Sequence, residues 1–447
     1  MTTVAAPAQR SLFGTDGIRG VAGEFLSAEL ALSVVRAATA RLGVTGRSPR
    51  VLVIRDTRES GEMLEAAVAA GIAAAGGDAL LGGVLPTPAA PLLLRRHGLD
   101  MAIVLSASHN PYADNGIKFF GSDGHKLSDE AELDIERMLA TPAEPSARIG
   151  RVRDLPGAAD EYLDALGERF AHLDLAGLRI ALDCANGATH RVAPEIFTRL
   201  GADVDVVAAE PDGRNINENC GSTHVGELAR RVREGGHHAG FAFDGDGDRV
   251  LAVDSTGAVV DGDELIALAA VHLRDRGRLS GEGVAVTVMT NYGFHSAMRD
   301  AGIEVAITGV GDRYVLQALR ERQWSLGGEQ SGHIIEMGFN ATGDGVASAL
   351  LVLEALGGRS LSERDGMEKL PQKLVNVVVG DRGAFEGAGA VHAAIDREAK
   401  GLEGRGRVLV RPSGTEPLVR VMVEAPSADE ADSVCERLVE VLRAEIA

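Results

Sequence analysis

Short apolar strands alternate with helical segments through most of this chain, and that alternation restricts the fold more than any other feature. VLVIRD (51–56) reads as a buried strand, and the Ala-rich stretch from Met63 to Ala75 predicts a helix ending at Gly76-Gly77. Strand ALLGGV, a Pro-Thr-Pro turn at 86–88, helix APLLLRRHG and strand MAIVLS follow. The order β-α-β-α-β predicts a parallel, helix-covered sheet. A similar unit starts at LRIALDC (178–184), continues through a helix near 190–200, and reaches DVDVVAA (203–209) and AGFAF (239–243). A third runs from helix DELIALAAVHLRDRG through GVAVTVM (283–289), HSAMRDAG and IEVAITG to RYVLQALRER.

After Gly357-Gly358 the texture changes. LPQKLVNVVVG reads as a strand, VHAAIDREAK as a helix, and RVLVRPSGTEPLVRVMVEA as two strands around a polar turn. Ser427-Ala-Asp-Glu430 is a capping box ahead of Ala431, Val434, Leu438 and Leu442, which predicts a last amphipathic helix. The expected fold is three mixed or parallel α/β domains, 1–160, 161–262 and 263–370, followed by a smaller α+β domain at 371–447. Length alone, at 447 residues, suggests about three domains; the element pattern fits four better.

Composition narrows the function. Aromatics are only 4% while Gly numbers 56, which suits α/β layers with many turns. The formal charge of −20 predicts repulsion from nucleic acid and anionic membranes unless a local basic patch reverses the field. An anionic substrate would need arginines gathered in one cleft. Cys184, Cys220 and Cys435 are far apart and lack metal-ligand spacing, which predicts a reducing, cytoplasmic setting. MTTVAAPAQR lacks the pattern of a secretory signal, and no apolar run approaches the roughly 20 residues of a bilayer span.

Four segments carry chemistry. VLSASHNPYADNGIKFF (104–120) takes an apolar strand into a polar loop holding Ser108 and His109, with Lys118 following between apolar residues. Strand ends in α/β sheets are where ligands usually bind. Asp244-Gly-Asp-Gly-Asp-Arg249 offers three carboxylates, Asp244, Asp246 and Asp248, that can converge on a hard divalent cation. An EF-hand loop would need Gly sixth and Glu twelfth, where Arg249 and Ser255 stand, so Mg²⁺ with retained water or phosphate ligands is the better reading. Arg411-Pro-Ser-Gly-Thr-Glu416, with Arg420 beyond, can nest a phosphate dianion or serve simply as a hairpin turn. FGTDGIRG (13–20), with Arg19, and GEQSGH (328–333), with Glu329 and Ser331, are weaker signals. A Ser-His-Asp hydrolase is disfavoured because G-x-S-x-G is absent around Ser108. A nucleophilic oxygen, a cation site and basic groups together fit phosphoryl transfer.

In order along the chain, these motifs resemble those of the α-D-phosphohexomutase superfamily. SASHNPYADNGIKFF is similar to its phosphoserine loop, DGDGDR to its metal loop, GEQSGH to its sugar loop and RPSGTEPLVRV to its phosphate loop. NINENCGSTH (215–224), VGDRYVL (310–316), TGDG (342–345) and the Gln of GEQSGH resemble the branch acting on glucosamine phosphates more than the phosphomannomutase/phosphoglucomutase branch. Arg55 stands where lysine would be expected.

The resemblance implies four domains around a central cleft and interconversion of glucosamine 6-phosphate and glucosamine 1-phosphate. That reaction feeds UDP-N-acetylglucosamine and cell-wall precursor synthesis. Ser108 would carry the phosphoryl group, and a sugar 1,6-bisphosphate would be the intermediate and activator. One Mg²⁺ would be held by Asp244, Asp246, Asp248 and Ser108. Lys118 and Arg19 would move protons or stabilise phosphate, Lys118 being the better proton shuttle because arginine is a poor base. His109 and Arg249 would orient the phosphoserine, and Glu329 and Ser331 would bind sugar hydroxyls. Arg411, Ser413, Gly414, Thr415 and Arg420 would grip the phosphate that is not reacting. The partner is thus a small sugar phosphate, with no nucleic acid or membrane, and a homodimer is compatible with the sequence. The alternatives are a phosphomannomutase or phosphoglucomutase using the same machinery and a sugar-phosphate sensor without activity, and the intact Ser108 and aspartate triplet speak against the sensor.

Overall fold

The computed structural model describes residues 12–14, 16–141, 146–380, 384–412 and 417–446. The chain separates into two compact units, Met1–Val288 with Ala306–Arg364, and Met289–Val305 with Asp365–Ala447.

The first unit opens on a six-stranded sheet of β1 (Ile18–Val21), β2 (Arg50–Arg55), β3 (Asp78–Val84), β4 (Met101–Leu105), β5 (Asp114–Gly121) and β6 (Val152–Asp154), in the order β1-β5-β4-β2-β3-β6. The expected parallel pairing holds for β4-β2-β3-β6. It stops at β5, which runs antiparallel to both β4 and β1. The correction has a local cause: the segment after Ser108 turns at Pro111 and re-enters the sheet as a hairpin arm, which needs no crossover helix. Val51, Leu52, Val53 and Ile54 of β2 are fully buried, as a strand covered on both faces should be. Each contributes roughly 1.5–3 kcal/mol of burial, and a charged residue at Val53 would break that layer.

A second sheet contains β7 (Arg179–Asp183), β8 (Asp203–Val207), β9 (Ala239–Phe243), β10 (Val250–Asp254) and β11 (Val259–Val260), ordered β11-β10-β9-β7-β8. Here too parallel strands, β7 with β8 and β9, are extended by the antiparallel β10. A third sheet has β12 (Gly283–Thr287), β13 (Glu304–Thr308), β14 (Leu326–Gly328) and β15 (Ile334–Glu336), ordered β13-β12-β14-β15. The helix Gly262–Asp275 starts on a capping box, with Asp261 and Glu264 bonding each other's backbone N–H.

In the second unit β16 (Gln372–Val378), β17 (Arg407–Pro412) and β18 (Leu418–Glu424) form an antiparallel sheet with β18 central. The helix Ala428–Ile446 packs Ala431, Val434, Leu438 and Leu442 into its core, as the periodicity predicts. Ser427 Oγ accepts the Glu430 N–H at 3.3 Å. The helix Tyr292–Asp300 belongs with this unit, where Glu424 accepts the Tyr292 N–H at 2.7 Å. All three cysteines are buried and free. Among the described residues no helix is long and apolar enough to cross a membrane.

Candidate active site

Ser108 follows β4 and is buried, with a φ of 53°. A non-glycine residue in that left-handed region costs about 1–3 kcal/mol and persists only where its surroundings fix it. The conformation aims Ser108 Oγ at Asp244 Oδ2, which accepts its proton at 2.5 Å. His109 Nδ1 lies 3.4 Å from the same hydroxyl. Burial and the neighbouring Arg249 and Arg19 lower the His109 pKa, so this imidazole is neutral at pH 7.

Asp244, Asp246 and Asp248 sit in the tight link between β9 and β10, with ligand oxygens within 4.8 Å of one another. Glycine is required between them. A Cβ at Gly245 would stand 2.6 Å from the Ser108 carbonyl oxygen, and Gly247 has a φ of 69°. Burial first, then the charges of Asp248 and Asp246, push the Asp244 pKa well above the ordinary carboxylate range. Asp248 goes the other way: burial would raise it, but Lys118, His333 and Arg249 hold it well below that range. Asp246 Oδ1 and Asp248 Oδ1 are buried without a hydrogen-bond partner. Orphaned carboxylate oxygens inside a group of like charges are what a bound divalent cation would satisfy, so the donor set fits a hard metal such as Mg²⁺.

Lys118 reaches this loop from β5. Its Nζ lies 2.7 Å from Asp246, 3.1 Å from Asp16 and 3.6 Å from Asp248. Burial lowers its pKa, but the three carboxylates outweigh that and raise it, so the ammonium stays protonated. Lys118 thus stands as a charge partner of the aspartate loop. Arg19 bonds Asp16, and its charge is likewise reinforced by Asp16 and Asp246 against burial. Arg249 gives its backbone N–H to Asp244 at 3.1 Å and places Nε 3.8 Å from Asp248.

A cavity of about 550 Å³ opens on these groups. Ser108, His109, Arg19, Asp248, Arg249 and Glu329 line it, so six of the residues picked from sequence converge. Glu329 accepts the Gly311 N–H at 3.0 Å, which ties the 328–333 loop to the 310–316 segment. Ser331 is exposed and does not line the cavity. Arg411 and Arg420 pair across β17 and β18, so both guanidinium stems leave adjacent backbone positions in the second unit. Ser413, Gly414 and Thr415 lie outside the described residues.

Sequence reasoning missed several neighbours. Asp16 binds Lys118, Lys126 and Arg19, and Lys126 also bonds Asp312. His333 is buried against Asp248 at 3.7 Å and Asp312 at 3.8 Å. Asp16 and His333 lie inside motifs already noticed, FGTDGIRG and GEQSGH, and could have been found there. Lys126 carries no local signal at all.

Buried carboxylates beside a strained serine at a sheet's C-terminal edge are joined by independent likeness to known proteins. Models of the phosphoglucomutase/phosphomannomutase family match domain I at residues 10–146, domain II at 160–257, domain III at 261–382 and the C-terminal domain at 374–441. The chain belongs to that family. Its curated relatives are more particular. It is 50% identical over 431 residues to the phosphoglucosamine mutase of Moorella thermoacetica, covering 95% of this chain and 97% of that one. It is 46% identical over 442 residues to the phosphoglucosamine mutase of Bacillus subtilis, covering 97% and 98%. A phosphoglucomutase/phosphomannomutase family protein of Burkholderia thailandensis superposes with a TM-score of 0.81 at 25% identity, over 98% of both chains. The Aspergillus fumigatus N-acetylphosphoglucosamine mutase, solved in complex with GlcNAc-6P and magnesium, shares the fold with a TM-score of 0.68 at 19% identity, over 99% and 97%.

Proposed function

We propose that this protein interconverts glucosamine 6-phosphate and glucosamine 1-phosphate, with Ser108 as the phosphoryl carrier. The observation that carries the reading is the Ser108 hydroxyl bonded to Asp244 within a buried aspartate triplet, in a chain about half identical to curated phosphoglucosamine mutases over nearly its whole length. Phosphoserine 108 passes its phosphoryl group to O1 of glucosamine 6-phosphate, whose hydroxyl proton leaves to a base. The bonded pair exchanged is Ser108 Oγ–P for O1–P, which gives the 1,6-bisphosphate. After the sugar reorients, Ser108 Oγ takes the 6-phosphoryl group and O6 regains a proton. Glucosamine 1-phosphate leaves, and its use lies with enzymes that activate sugar 1-phosphates as nucleotide sugars.

Asp244, Asp246 and Asp248, with an oxygen on Ser108, are the residues that would hold Mg²⁺. That cation would offset the charge developing on the transferring phosphoryl oxygens. Lys118 and Arg19, both kept protonated by Asp16 and Asp246, supply positive charge to the same oxygens. The neutral His109 and the Arg249 guanidinium flank Ser108 and orient it. His333 also lines this cavity; burial would lower its pKa, but Asp248 and Asp312 raise it, which favours the protonated ring and a proton donor's role. Glu329 and Ser331 are assigned to sugar hydroxyls. Arg411, Ser413, Gly414, Thr415 and Arg420 are assigned to the phosphate not being transferred. We extend the proposal to a cytoplasmic enzyme that needs catalytic sugar 1,6-bisphosphate and forms a homodimer.

The test is incubation with glucosamine 6-phosphate, Mg²⁺ and a trace of sugar 1,6-bisphosphate, reading the 1-phosphate. Comparing kcat/KM for glucosamine, glucose and mannose phosphates separates this reading from a phosphomannomutase or phosphoglucomutase. A higher value for either neutral hexose would overturn the substrate assignment.

A further inference from the structure

The 215–224 segment, noticed for its likeness to one branch, has no part in the mechanism above. Its place in the fold gives it one. Asn217, itself left-handed at φ 58°, is 8% exposed and sends Nδ2 to the carbonyl oxygens of Ser108 at 2.9 Å and Asn110 at 3.1 Å. Both neighbours are acceptors, so the amide nitrogen must be the atom that faces them. Arg58, fully buried, reaches the same two oxygens from the first domain's side, with Nη2 at 2.9 and 2.8 Å. Its Nε is fixed by Asp56 at 2.8 Å. Ser106 Oγ accepts the Ser108 N–H at 2.9 Å while donating to Asp56 at 2.6 Å. Every backbone polar atom of Ser108 is thus held. The space the Gly245 side chain would fill is shared by the Ser108 carbonyl and by Asn217 Nδ2, 2.7 Å from that Cβ position, so Asn217 lies between the serine loop and the aspartate loop.

We propose that Asn217 is a positioning residue for phosphoryl transfer. Together with Arg58 it clamps the Ser108 carbonyl, which keeps this strained residue left-handed and its Oγ at the aspartate triplet. Without one of the two donors the loop stays anchored by Arg58, but Ser108 can relax toward an ordinary backbone conformation and carry Oγ away from Asp244. A displacement of about 1 Å at a reacting atom costs on the order of 100-fold in rate. Sugar recognition is untouched, because Asn217 faces the loop backbone and does not line the substrate cavity.

The inference rests on Ser108 as phosphoryl carrier, and the test keeps the two apart. Asn217→Asp preserves shape but turns an acceptor toward two carbonyl oxygens. Phosphoenzyme is mixed with glucosamine 6-phosphate, and loss of the phosphate from Ser108 is followed by intact mass in a single turnover, beside kcat and KM. The expected result is a fall of about 100-fold in kcat and in the transfer rate, with KM within about twofold of wild type. Wild-type kcat in the variant, or a rise in KM with an unchanged transfer rate, would overturn the clamp. If Asn217→Asp does not fold, Asn217→Ala decides: it removes the amide donor without adding a charge, and about a tenfold loss of kcat at constant KM is expected, while no loss overturns the proposal. A wild-type protein that never carries phosphate on Ser108 would sink the carrier reading, and the clamp with it.

Discussion

Two charge clusters in the first unit, a partly exposed one at Glu354 and the buried one at the aspartate triplet, behave in opposite ways. At Glu354 both carboxylate oxygens are taken: Oε1 by Arg278 at 2.9 Å and His172 at 2.8 Å, Oε2 by Arg169 at 3.1 Å. Glu336 shares the same two arginines. Burial would raise the Glu354 pKa, yet His272, Arg169, His172 and Arg278 bring it down to about 2. At the triplet, burial raises Asp244 and the neighbouring carboxylates raise it further, while oxygens on Asp246 and Asp248 go without a donor. Both clusters hold buried atoms without a hydrogen-bond partner, Glu336 Oε2 and Arg169 Nε in one and Asp246 Oδ1 and Asp248 Oδ1 in the other. The difference is in the charges around each carboxylate: cations surround Glu354, while Asp244 faces two further carboxylates, an arrangement that a bound cation would relieve.

The largest expected effect breaks the chemical side of this contrast. Ser108→Ala should abolish mutase turnover, a loss on the order of 10⁴-fold or more, and the purified variant should lack the mass of one phosphoryl group. Full activity in that variant would remove the carrier role. Next, Asp246→Ala should lower Mg²⁺-dependent kcat on the order of 10³-fold. Wild-type turnover in excess EDTA would dismiss the metal.

The structural cluster should respond in stability instead. Glu354→Gln removes the charge that the cations around it share and, with solvent screening of this partly exposed cluster, should cost on the order of 1 kcal/mol in denaturant unfolding, with specific activity per folded molecule unchanged. Asp244→Asn, measured without metal, should do the reverse and stabilise by about 1 kcal/mol, since it removes one of three repelling charges.

The smallest effect is the pH dependence of those two variants. The folded pKa of Glu354 is below its ordinary value of 4.5, so its contribution is complete above pH 4.5 and fades as pH falls toward 2. The deficit of Glu354→Gln should shrink over that window. Asp244 has a folded pKa above its ordinary value of 3.8, so the metal-free fold loses stability as pH rises through and beyond 3.8. The gain from Asp244→Asn should therefore grow with pH. Parallel pH profiles for the two variants would erase the distinction between the clusters.

Much of this was readable from sequence because the signals are local. Strands such as AGFAF at 239–243 match the structure residue for residue, and three aspartates at alternate positions with glycine between leave few conformations open. Strand β5 was not anticipated, since DNGIKFFG follows a polar loop and its pairing with β4 and β1 depends on residues about 15 and 100 positions away. Lys118 was noticed for its apolar flanks, but its protonation depends on Asp16, Asp246 and Asp248, which sequence spacing does not bring together. Arg58 and Asn217 look like ordinary polar residues until the fold turns both toward one carbonyl oxygen.

The hairpin formed by β4 and β5 has a kinetic consequence. Leu105 faces Ile117 in register and the Ser106 N–H bonds the Gly116 carbonyl at 3.1 Å, so the serine loop is closed at its base like a buckle. A carrier fastened in this way has no swing of its own. On the proposed reaction the sugar must make the half-turn, and in that interval it is a loose bisphosphate beside an empty serine. Each escape leaves an idle enzyme molecule until another bisphosphate arrives. The demand for added activator is then a count of such escapes per turnover.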